Sequence, residues 1–144
     1  MRNTLIVHFL LVIMFTGVIY PSTQKPDEES TLVSYAQDIY RQNGVNMARN
    51  AFDLIQIKGQ DRIFYIKLLS RTSTLSDDLL QAFLVGGAIS QHARLPIDLI
   101  IIDVELEFSQ KPKMILQASG QCCENLYNTR MTTEAFTEGC LKIK

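Results

Sequence analysis

The chain has no G-x-S-x-G, H-E-x-x-H, Walker loop, dinucleotide fingerprint or EF-hand loop. With these missing, the best-marked routes to hydrolase, metalloprotease, nucleotide and calcium chemistry have no sequence support. There is no C-x-x-C pair of the redox or zinc type, and the 144 residues hold three cysteines and two histidines. His8 lies in an N-terminal apolar run, so His92 is left alone, a polar residue at a helix end rather than a ligand or base. No cofactor or metal is expected. Basic clusters are missing too: setting aside the first twenty residues removes Arg2 from the 14 Lys and Arg and leaves 13 against 15 Asp and Glu, a net charge of −2. Scattered cations on an acidic domain exclude nucleic acid as the expected partner.

What is present begins with "MRNTLIVHFLLVIMFTGVIY", one cation followed by an almost unbroken apolar run from Leu5 to Tyr20. Residues 1–20 read as a signal peptide or an N-terminal membrane anchor, and are kept out of the fold. Small residues in an A-x-A pattern are missing near Val18, Ile19 and Tyr20, so cleavage and retention both stay open. Either way the domain is expected outside the cytoplasm, secreted, periplasmic or held at the membrane surface, with membrane contact only through residues 1–20 if they are uncleaved. No cysteine follows the run closely enough to accept a lipid, and no Asn-x-Ser/Thr sequon occurs, which favours a bacterial exported protein over a glycoprotein. Residues 21–28, within "PSTQKPDEES", read as a flexible spacer, and residues 29–144 as a single α+β domain.

Within that domain, Leu32, Tyr35, Ala36, Ile39 and Tyr40 recur at helical spacing before Asn43-Gly44, a capped amphipathic helix. "AFDLIQIKGQDRIFYIKLLS" reads as strands at 51–58 and 62–70, with Gly59 in the first central position of a type II′ turn. Ser76, Asp77 and Asp78 start a second helix that should stop before Pro96; its apolar residues cover most of its circumference, which makes it the central one. Gly86-Gly87 inside it costs about 2 kcal/mol of helix propensity, so a close backbone approach or a kink is expected there. In "IDLIIIDVELEFSQKPKMILQAS", Ile100, Ile102, Val104, Leu106 and Phe108 form a core face and Asp103, Glu105 and Glu107 a wet one, with Ser109–Pro112 as the turn. A short helix through Cys122, Cys123, Leu126 and Tyr127 follows, then one capped by Thr132, with Met131 packing on Phe136 and Gly139 at its end. The order α-ββ-α-ββ-α-α is drawn as an antiparallel four-stranded sheet of two hairpins with its helices mostly on one face. In element order alone it resembles several chaperone-like and adaptor-like α+β folds, including the secretion-chaperone-like one.

In an oxidising compartment Cys122, Cys123 and Cys140 allow one intramolecular bond. Adjacent cysteines would close a strained ring, so Cys140 pairs with Cys122 or Cys123, stabilising the domain by about 3 kcal/mol, and one thiol is left over. Asp103, Glu105 and Glu107 form the one candidate interaction face, whose bland alternative is the solvated side of a half-exposed strand. The expectation is a small exported, non-enzymatic domain that binds a protein partner or assembles with itself. The alternatives are a small envelope enzyme using a thiol or the acids, and a binder of an apolar ligand beneath the Gly86-Gly87 helix.

Overall fold

A computed structural model describes residues 27–108 and 113–144. The apolar run, nearly all of the spacer and the Ser109–Pro112 turn therefore lie outside the described residues. Among those that are described, no helix is long and apolar enough to cross a membrane.

Helix α1, Glu28–Gln42, starts one residue inside the expected spacer because the Asp27 carboxylate accepts from the Ser30 N–H and satisfies an otherwise orphaned donor. A short 3-10 turn, Arg49–Ala51, leads into β1, Phe52–Ile55, which pairs antiparallel with β2, Ile63–Ser70. The expected tight hairpin turn is replaced by a seven-residue loop. Gln60 N–H bonds the Ile57 carbonyl at 3.0 Å and Gly59 has φ +79°, so glycine occupies the second central position of a turn one residue earlier than expected. β1 stops short because Arg62, which would have extended the ladder, turns instead to the Asp98 carboxylate.

Helix α2, Leu75–His92, carries the chain back across the sheet to β3, Leu99–Leu106, which lies parallel to β2 from Ile63↔Leu99 to Ser70↔Leu106. Here the expected all-antiparallel sheet fails. A helix joining two neighbouring strands of one sheet returns the second in the direction of the first, so the hairpins meet along a parallel seam. The helix starts at Leu75 rather than after Ser76; the Ser70 and Thr74 hydroxyls both donate to the Asp78 carboxylate, at 2.5 and 2.8 Å. β4, Met114–Ser119, pairs antiparallel with β3. Helix α3, Gly120–Tyr127, and helix α4, Thr133–Gly139, begin under Ser119 and Thr132 caps, and β5, Lys142–Ile143, adds a fifth strand beside β4 that the sequence pattern did not announce. The fold is thus α+β with a mixed five-stranded sheet in the order β1-β2-β3-β4-β5.

The core lies between one sheet face and the helices. Phe64, Ile66, Ile100, Ile102, Leu116 and Ala118 meet Leu32, Ala36, Phe83, Val85, Ile89 and Cys123. Gly86 and Gly87 allow this approach on two sides: a methyl at Gly86 would stand 2.7 Å from the Ile100 side chain, and one at Gly87 would collide with the Cys123 carbonyl. Close contact, not a kink, explains the pair.

Candidate functional site

Because side chains alternate along a strand, the residues between the core positions share the opposite face of the sheet. The strand register sorts them into rows. Ile55, Ile63, Leu99 and Ser119 form one, and Asp53, Tyr65, Ile101, Gln117 and Lys142 the next. Lys67, Asp103 and Ile115 follow, then Leu69 beside Glu105. No described element covers these rows. Ile63, Tyr65, Leu99, Ile101 and Ile115 are only partly buried, by their neighbours within the sheet, and Leu69 is 61 % exposed. One end of the face is therefore apolar and the other charged, with Tyr65 and Gln117 between.

The acids expected to form the interaction face divide in the structure. The Tyr65 hydroxyl donates to Asp103 at 2.5 Å, and Lys113 Nζ stands 4.0 Å from Asp103 and 3.8 Å from Glu105. Burial, then the Asp103 hydrogen bond and charge, push the Tyr65 phenol up to about 12. Asp103 Oδ1 and Gln117 Oε1, both on this face, have no hydrogen-bond partner among the described residues. Glu107 lies beyond the end of β3 and is ion-paired to Arg71 at 2.7 Å. Phe108, expected to continue the core face, is 99 % exposed at φ +58° past the strand end. The acidic row is thus two carboxylates set in a partly apolar face and sharing one cation, Lys113. Leu99, Ile101, Ile63, Tyr65 and Leu69 were missed as surface residues, although an apolar residue at every second position on both faces of two strands was the signal.

At the other end of the sheet, Arg62 is 5 % exposed yet charged. Its guanidinium meets Glu28 at 2.8 Å, the Leu95 carbonyl at 2.5 Å and Gln56 at 3.2 Å, while its N–H donates to Asp98 at 2.7 Å. Partial burial pushes the Glu28 carboxyl up, but the Arg94 N–H and the Arg62 and Arg94 charges outweigh it and hold the group below the usual carboxylate range. This network ties α1 to both loops at that end. Its groups are spent on one another.

Cys122 and Cys140 are disulfide-bonded, with Cα atoms 6.2 Å apart, which settles the pairing that the spacing left open. Cys123 is free and buried, and burial pushes its thiol up to about 12. A thiolate nucleophile needs the opposite environment, exposed and electropositive. The His92 ring stacks on Tyr35 at 4.5 Å, a packing role at the end of α2. Among the described residues no group of three or more His, Cys, Asp or Glu is placed to hold a metal ion. A groove of about 630 Å³ runs beside α2, lined by Ile39, Leu80, Leu84, Val85 and Tyr127. Comparison with known protein families, with curated proteins and with solved structures finds no match to this chain.

Proposed function

We propose that this is a small exported, non-enzymatic α+β domain that acts by binding protein, and that it binds through the open face of its sheet. The observation that carries the reading is the row of Ile63, Tyr65, Leu99, Ile101, Ile115 and Leu69 on strands whose other face is fully packed. A contiguous apolar patch rimmed by charge is the usual mark of a protein contact. Export is supported by the N-terminal apolar run and by a disulfide suited to an oxidising compartment. Against the thiol-enzyme alternative stand a buried Cys123 and a bonded Cys122 and Cys140.

A photo-crosslinking residue in place of Leu69, compared with one in place of Asp38 on the exposed side of α1, tests the reading in cells. Adducts to protein are expected from position 69 and not from position 38; the reverse pattern would sink it. Intact mass of the exported protein checks the leader: cleavage gives a chain shorter by about the length of a signal peptide.

A further inference from the structure

We propose that the occupant of the open face is a second copy of this chain, seated about a two-fold axis that runs parallel to the strands between β2 and β3. The proposal rests on reading this face as the binding surface, and adds the partner and the geometry. Two sheets brought face to face by a two-fold axis in the interface plane lie about 10 Å apart, and an axis between two strands sets each strand over the other. Because β2 and β3 are parallel and in register, every open-face residue of β2 then lies opposite its own register partner from the second copy.

The chemistry of those partners is complementary in three of the four open-face rows of the seam; in the fourth, exposed Leu69 comes over exposed Glu105 at the rim. Ile63 meets Leu99, Tyr65 meets Ile101, and Lys67 meets Asp103. Lys67 is exposed and has no ion-pair partner among the described residues, while Asp103 has one unpartnered oxygen. On the flanks Asp53 of β1 comes over Gln117 of β4, whose amide offers donors to a carboxylate. The in-register pairing of β2 with β3 makes these three rows of the face self-complementary.

The size of the face sets the strength. The 26 residues of β1 to β4, at about 3.3 Å rise and about 4.8 Å strand spacing, give a flat footprint of about 400 Å². A stable interface takes about 600–1,000 Å² of accessible surface from each partner, so this one falls below that range, among weak and transient contacts. The dimer is a reversible one in the micromolar range, tightened where the domain is concentrated at a membrane surface.

Sedimentation velocity on the exported, oxidised protein between about 1 and 500 µM tests this, using the wild type, Lys67→Glu, Asp103→Lys and an equimolar mixture of the two variants. The wild type should dimerise with concentration. Each variant alone places like charges across both pairs and should remain monomeric to at least tenfold higher concentration. The mixture restores opposite charges at both pairs and should associate as a heterodimer. A monomeric wild type over the whole range overturns the second-copy proposal, as does a Lys67→Glu chain that dimerises like the wild type, or a folded pair of variants that fails to associate on mixing. If circular dichroism shows that Asp103→Lys does not fold, the exposed Lys67 position alone decides. Failure here is distinguishable from failure of the broader reading: crosslinks from position 69 to a different protein would remove the dimer and leave the binding face, whereas no crosslink at all would remove both.

Discussion

On the helix-covered side of β2 and β3, Phe64, Ile66, Ile100 and Ile102 are sealed from solvent, whereas Ile63, Tyr65, Leu99 and Ile101 of the same strands stay partly wet on the other. The residue types are nearly the same. The difference lies in what meets them: α2 approaches one face so closely that Gly86 has no room for a side chain against Ile100, and no described element approaches the other. Hydrophobicity on the covered face is spent on folding. On the open face it contributes little to the stability of the monomer, which leaves it for association.

The sharpest way to break that contrast is to truncate neighbours that face opposite ways. Ile102→Ala should cost about 3 kcal/mol through lost burial and a cavity, and Ile101→Ala under about 1 kcal/mol, read as shifts of the urea midpoint; equal costs would mean that the open face is covered within the monomer. Reducing the Cys122–Cys140 bond loosens only the helical layer and should lower stability by about 3 kcal/mol, with thermal unfolding as the measurement. Gly87→Ala forces the Cys123 carbonyl away from α2 and should cost about 2 kcal/mol despite its better helix propensity. The smallest effect belongs to the open face itself. Tyr65 ionises near 12 in the folded chain, above its ordinary value of 10.0, so the stability it contributes is intact below pH 10 and declines as pH rises toward 12. Ultraviolet titration should show two late tyrosines, Tyr40 raised by burial and Tyr65, of which Asp103→Asn brings down only Tyr65; a spectrum in which neither transition moves would rule out the Tyr65–Asp103 bond.

The helices were legible because their caps and apolar spacing are local: Asn43, Thr132 and the stripe from Leu32 to Tyr40 stand where the periodicity put them. The close approach at Gly86-Gly87 was legible as well, since two glycines inside a helix need a reason. The parallel seam was not read, because each hairpin was taken as a unit and the helix between them was not treated as a crossover. Arg62 was illegible for a different cause. Its partners Glu28, Leu95 and Asp98 are 33 to 36 residues away in the case of its hydrogen bonds to Leu95 and Asp98, and nothing local marks an arginine for burial. β5 has only two residues, too few to show a period. The open face was half legible: its acids were found, and the isoleucines and leucines beside them were given no face of their own.

The burial of Cys123 has a consequence for the bond next to it. Disulfides rearrange by thiolate attack, and a thiol with a pKa of about 12 leaves only about one molecule in 10⁵ ionised at neutral pH. The residue best placed along the chain to scramble the Cys122–Cys140 bond is silenced by the packing of α3 against α2. Correct pairing is therefore guarded by the hydrophobic core: a chain whose helical layer has not closed still carries three competent thiols, and one that has closed carries a single bond with no internal rival.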